Sequence, residues 1–360
     1  MPGSKRSRSR REGRSRGSRL AFDLFPFVRA LVDTQSLSGN ESRVAGLIAS
    51  FLARQGFKVS LQPFASGRMN VVAAWGTPEV VLSTHLDTVP PFFASREDDD
   101  AIYGRGSCDA KGILAAQIGA ALKLKAAKVR NFGLLFTAGE EHDSAGAKAA
   151  NELPNACRFL INGEPTENKL ATATKGAQRC ELVAEGRPAH SAYPEWGDSA
   201  ISRLLQGLRA LESLPLPKDE VLGETTYNVG VIAGGRAANV IPDRARAEIY
   251  FRTVQPAAPL RSRLRVALEP HCRINFAPEV PPVRLVALDG FDTVIARFTS
   301  DVPHLTRWGK PLLLGPGSMR EAHSENEHVS KKELTEAVEI YSRMVTRLKR
   351  ILAEEGESTE

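Results

Sequence analysis

The chain has 360 residues, 42% hydrophobic and 25% charged, which points to a soluble globular protein with room for two ordinary domains. No run of about 18 apolar residues occurs, and the N-terminus lacks the apolar core of a signal peptide, so neither a membrane-spanning helix nor an export leader is expected. The net charge of +6 does not describe a basic surface: Gly3 to Arg19 holds eight Lys/Arg and one Glu, which leaves the rest of the chain at about −1.

In chain order, residues 1–20 read first as a disordered basic tail, because a Ser/Arg/Gly stretch has too little apolar surface to build a core. An Arg-rich tail has phosphate affinity without sequence preference. It makes a nucleic-acid-binding protein the reading from a different class, while no specific nucleic acid and no membrane partner is expected. Two helical segments follow. In "ESRVAGLIASFLARQG", Val44, Leu47, Ile48, Phe51 and Leu52 share one face and Gly56 ends the helix. Strands and helices then alternate. "NVVAAWG" and "EVVLSTHLDTVP" read as strands, "AKGILAAQIGAALKLKAAKV" as a helix, "FGLLFTAG" as a strand, "SAGAKAANEL" as a helix and "CRFLING" as a strand. These strands are nearly all apolar, as expected when helices cover both faces of a sheet.

From about Gln178 the pattern changes to period-2 strands ("QRCELVAEG", "TTYNVGVIAGG", "DRARAEIYFRTV") and two amphipathic helices ("DSAISRLLQGLRALESL", "PLRSRLRVALEP"). After about Leu285 the α/β character returns and ends in the long helix "KKELTEAVEIYSRMVTRLKRILAEEG". The expected architecture is a doubly wound, mixed-sheet α/β domain over residues 21–176 and 286–360, interrupted by a smaller α+β domain over residues 177–285.

Ligands of open α/β sheets collect beyond the carboxyl ends of the strands. Those ends supply His85 and Asp87, Glu140 and Glu141, Glu164 and His323, while Asp109 stands just before a helix. Five carboxylates and two histidines gathered there would repel strongly without compensation, and Lys111 alone cannot neutralise them. Mixed imidazole and carboxylate ligands suit zinc or a similar first-row metal. Asp87, two residues after His85, would lie on the same side of the strand and accept the second ring N–H of a ligating histidine, or else serve as a turn aspartate before Val89-Pro90. The adjacent pair Glu140–Glu141 would point in different directions at a strand end, one toward metal and one toward water, or else favour the N-terminus of the next helix.

The motifs "HLDTVP", "GRGSCDAKG", "GEEHDSAGA", "GEP", "GRPAHSAYP", "NVIPD" and "AHSENE" occur in an order that resembles the zinc-dependent aminoacylases and carboxypeptidases. That family includes acetylornithine deacetylase, succinyl-diaminopimelate desuccinylase and carboxypeptidase G. The resemblance covers roughly Phe22 to Glu355. It implies two zinc ions, with cobalt or manganese as substitutes. His85, Asp109 and Glu164 would bind one, and Asp109, Glu141 and His323 the other, with Asp109 bridging. Glu140 would be the general base, passing a proton from an activated water to the leaving amine. The insertion would be a lid and dimerisation domain. His190 would reach the active site of the neighbouring subunit and stabilise the oxyanion, and Asn239 and Arg252 would hold the substrate carboxylate. The expected activity is removal of the acyl group from a small N-acyl amino acid by a homodimer, with a carboxypeptidase or dipeptidase as the alternative.

Two departures bear on substrate detail. Ile113 follows Gly112 where the family often has a glycine-rich stretch, and Thr299-Ser300-Asp301 stands where many members have Gly-Thr-Asp. Cys108, Cys157, Cys180 and Cys272 have neither metal-knuckle nor redox spacing, which suggests free thiols in a reducing, cytoplasmic setting. Cys108 adjoins Asp109 but has no recognisable base to make it a nucleophile.

Overall fold

The computed structural model describes residues 22–65 and 67–357; the tail expected over residues 1–20 lies outside them. Helices α1 (Leu24–Asp33) and α2 (Ser42–Arg54) come first. In α2, Val44, Ile48 and Leu52 recur every four residues, so one face enters the core. Strands β1 (Lys58–Ala65), β2 (Arg68–Trp75) and β3 (Val80–His85) follow, then the short β4 (Arg96–Glu97) and β5 (Ala101–Tyr103). Next come α3 (Lys111–Ala126), β6 (Phe132–Thr137), α4 (Ala145–Asn151), β7 (Phe159–Asn162) and β8 (Leu170–Thr174). Helix α3 is buried along most of its length, as its apolar, Ala-rich sequence requires.

The interrupting segment holds β9 (Gly176–Glu185), α5 (Ala200–Glu212), β10 (Lys218–Asp219), β11 (Gly223–Glu224), β12 (Thr226–Gly234), β13 (Arg244–Thr253), α6 (Ala257–Leu268) and β14 (Arg273–Phe276). The chain closes with β15 (Val283–Arg284), β16 (Thr293–Ala296), β17 (Lys310–Leu313), β18 (His328–Ser330) and α7 (Lys331–Glu357).

The main sheet is mixed, in the order β1-β2-β6-β3-β7-β17. Strands β6, β3, β7 and β17 run parallel, while β2 is antiparallel to both β1 and β6. Every residue of β3, β6 and β7 is buried, which accounts for their unbroken apolar runs. Strand β1 alternates exposed and half-buried residues at the sheet edge, so it lacks the apolar run by which its neighbours were legible in the sequence.

The interrupting segment has its own antiparallel sheet, β12-β13-β9-β14, and its own core, in which Leu182, Ile249 and Phe251 meet Leu204 and Leu264 of α5 and α6. In β13 every second residue is buried, the mark of a sheet with one covered face. No helix of the described residues is long and apolar enough to cross a membrane.

Candidate metal centre

Because β3, β6 and β7 are adjacent and parallel, their carboxyl ends open on the same edge of the sheet. His85 is the last residue of β3. Past β6 the chain turns at Gly139, which has φ +88°; a Cβ there would lie 2.1 Å from the Arg68 guanidinium. That turn delivers Glu140 and Glu141. Glu164 comes two residues after β7, and Asp109 precedes α3. His323 lies between β17 and β18, in the left-handed region at φ +63°, an uncommon backbone for a residue other than glycine.

Asp109 stands between the two histidines. Its Oδ1 lies 2.9 Å from His85 Nε2, and its Oδ2 lies 3.4 Å from His323 Nε2. His323 Nε2 also lies 2.9 Å from Glu141 Oε1. One ligand atom each from His85, Asp109 and Glu141 falls within 4.8 Å of the others. Glu164 is 2% exposed, and its Oε1 has no hydrogen-bond partner among the described residues.

The electrostatics match the crowding. Burial pushes the Glu140 carboxyl well above the usual range, and Asp301, Glu141 and Asp109 add repulsion against relief from His85. Burial likewise drives up Glu164, with Glu140 next to it. For Asp109 burial acts upward, but hydrogen bonds from His323 and His85 outweigh it and hold the carboxyl low. Hydrogen bonds to Asp109 and then Glu141 raise His323 to about 10. An orphaned buried carboxylate oxygen, a carboxylate shared by two imidazoles and several carboxyls in one pocket fit a divalent cation of the kind that imidazole and carboxylate ligands select.

Asp87 stands behind His85 and also does work that its spacing did not suggest. His85 Nδ1 lies 2.9 Å from the Asp87 backbone carbonyl, and the carboxylate is farther, at 3.6 Å. The carboxylate instead accepts the backbone N–H groups of Gly139 (2.8 Å), Glu140 (3.1 Å) and Glu141 (3.2 Å), and the Ser38 hydroxyl (2.7 Å). The imidazole thus has an acceptor to fix its tautomer, and the carboxylate beside it pins the turn that carries the glutamate pair.

A crevice of about 580 Å³ opens over the cluster and joins the two parts of the molecule: Asp109, Glu140, Glu141, Glu164 and His323 form its floor, and Tyr250 and Arg252 of β13 reach it from the inserted sheet. The Arg252 guanidinium lies 4.8 Å from the Tyr250 ring centre and 3.5 Å from the Thr299 hydroxyl. His190 and Asn239 are exposed and do not line this crevice; they sit together, with Ser191 N–H bonded to the Asn239 carbonyl at 3.0 Å.

Asp301 was legible only as a remnant of a motif, yet it is buried beneath the site. It accepts the Thr137 hydroxyl at 2.6 Å, and its second oxygen has no hydrogen-bond partner among the described residues. All four cysteines are free and buried.

A mixed α/β sheet with this cluster at its carboxyl edge, and residues of the inserted sheet lining the crevice above it, is the arrangement of a metal-dependent hydrolase of peptide and amide bonds. The sequence pattern of peptidase family M20/M25/M40 matches residues 81–347, and the chain is a member of that family. A Peptidase M20 domain-containing protein of Schizosaccharomyces pombe is 41% identical over 336 residues, covering 90% of this chain and 84% of the relative. A probable carboxypeptidase of Aspergillus clavatus is 38% identical over 372 residues, covering 90% and 82%. Among solved structures, a dinuclear metal binding peptidase of the M20 family from Bacillus subtilis superposes with a TM-score of 0.65 at 18% identity, covering 89% of this chain and 95% of that one.

Proposed function

We propose that the protein is a dinuclear metal amidohydrolase that releases a free amino acid from a small N-acyl amino acid. The observation that carries this reading is the placement of Asp109, with one oxygen facing His85 and the other facing His323. His85, Asp109 and Glu164 would hold one ion, and Asp109, Glu141 and His323 the other, with zinc favoured by the ligand types. The chemistry such ions supply when bound is Lewis-acid polarisation of the scissile carbonyl and acidification of water.

The chain's own residues do the rest. Glu140 lines the crevice, and its carboxylate makes no hydrogen bond among the described residues, which leaves it able to take a proton from water and return it to the departing amine. Asp87 holds the backbone at Glu140 so that the carboxylate cannot drift. Arg252 offers a two-pronged donor for the substrate's free carboxylate.

His190 serves as oxyanion donor across a dimer. Two features favour that arrangement. His190 lies outside its own crevice, and the inserted sheet ends on edge strand β12, which pairs only with β13 among the described residues and exposes Val231 and Ile232.

The relatives described as probable carboxypeptidases favour a second reading, in which the acyl portion is itself a peptide. Turnover of N-acetylated amino acids and of dipeptides by zinc- and cobalt-reconstituted protein decides between them. Hydrolysis of dipeptides alone rejects the deacylase reading.

A further inference from the structure

We infer that Glu327, paired with Arg105, is a positioning residue that locks the loop carrying Asp109 to the segment carrying His323. The inference rests on the reading of Asp109 and His323 as metal ligands. Glu327 is fully buried and Arg105 nearly so, at 0% and 2% exposure. Glu327 Oε1 accepts three backbone N–H groups, from Gly106 (2.9 Å), Cys108 (3.2 Å) and Asp109 (3.1 Å). Its Oε2 pairs with the Arg105 guanidinium. The Glu327 carbonyl accepts the Gly104 N–H at 3.0 Å and the Ser107 hydroxyl at 3.2 Å. Residues 104–109 therefore wrap one glutamate that follows His323 by four positions. The grip continues into β18, where His328 pairs with Tyr103 of β5.

A buried ion pair is a poor source of stability, because desolvation offsets the attraction. A short turn has no need of a carboxylate from the far end of the chain. The shared ligand does have that need. Asp109 must keep one oxygen toward His85 and the other toward His323, and a small rotation of its backbone would lose one of them. Glu327 binds the N–H of Asp109 itself, so the backbone is pinned at the residue whose side chain is divided. The same glutamate belongs to the segment that carries His323. Outer partners of metal ligands characteristically act by fixing ligand direction in this way.

The test is calorimetric titration of the metal-free full chain with Co²⁺, for wild type, Glu327→Gln and Arg105→Lys, beside thermal melting of each metal-free form. Gln keeps the size and an acceptor oxygen but loses the charge that faces Arg105. Cobalt affinity is expected to fall on the order of 10- to 100-fold in Glu327→Gln, and in the same direction in Arg105→Lys. Metal-free Glu327→Gln should melt below wild type, because Arg105 is left buried without its counter-charge, while Arg105→Lys keeps the charge and melts closer to wild type. Wild-type cobalt affinity in Glu327→Gln overturns the inference whatever its melting temperature. If Glu327→Gln does not fold, Arg105→Lys decides by the same criterion. Failure of both to fold also overturns it, since the pair would then be a folding element. Wild-type protein that takes up no cobalt rejects the metal reading itself, whereas normal binding by wild type and variants alike rejects only the clamp.

Discussion

The Asp87 carboxylate holds Glu140 by its backbone, accepting the Glu140 N–H at 3.1 Å while its other bonds fix Gly139, Glu141 and Ser38. Asp87→Asn turns an amide NH₂ toward donors that need an acceptor. A buried unpaired group costs about 1–3 kcal/mol, and misplacement of the base lowers turnover on the order of 100-fold. Denaturant unfolding and kcat check this; a variant with normal kcat separates the clamp from catalysis.

Glu140→Gln removes the proton carrier and leaves the proposed ligands in place. Metal content by elemental analysis should match wild type, while kcat falls by about 10²- to 10⁴-fold. Loss of metal in this variant would reassign Glu140 as a ligand.

Stripping the metal with a chelator should abolish turnover, and zinc should restore it. The metal-free protein should also lose stability as pH rises. Glu140, Glu141, Glu164, His85 and His323 all have folded-state pKa values raised above the ordinary range, so the folded state binds more protons than the unfolded one. Their contribution is present below the ordinary Glu range and declines from there to about pH 10, where His323 titrates. Asp109, held low, contributes a constant stabilisation above the ordinary Asp range and loses it only in acid. Ligand binding at about 100 Kd adds about 2.7 kcal/mol, so the gap between metal-loaded and metal-free melting should widen from pH 5 to pH 9. A gap that narrows over that range counts against the cluster.

Mixing inactive His190→Ala with inactive Glu140→Gln should regenerate activity if His190 serves a second subunit. Each mixed dimer then has one intact site, and random exchange returns about a quarter of wild-type turnover. No recovery after verified subunit exchange places His190 at its own subunit's site, and a His190→Ala protein with wild-type turnover places it outside the reaction.

Burial pushes the Cys108 thiol well above its usual range, with the Asp109 charge adding to the effect. The thiolate is therefore scarce at neutral pH, and Cys108→Ser should keep most of the turnover. Native protein at pH 8 should leave Cys108 unmodified by iodoacetamide, as peptide mass spectrometry would record.

The parts legible in the sequence were those with a local signature. The buried runs of β3, β6 and β7 announced themselves by composition, and the strand-end rule then brought His85, Glu140, Glu141 and Glu164 to one edge. Partners chosen by the backbone had no such signature. Nothing in the spacing of Asp87 reveals that its carboxylate would bind three successive N–H groups. Glu327 reads as one acid among several in "AHSENEH" until the 104–109 loop is seen closing around it. Edge strand β1 was missed for a third reason, since its exposed face supplies no hydrophobic signal.

His323 meets Glu141 across 182 positions of sequence, with a whole second hydrophobic core between them. A ribosome must have made the chain through His323 before that imidazole can arrive, and pairing at such range is slow to form. Nascent chains and clipped products that stop short of His323 therefore lack its contact with Glu141.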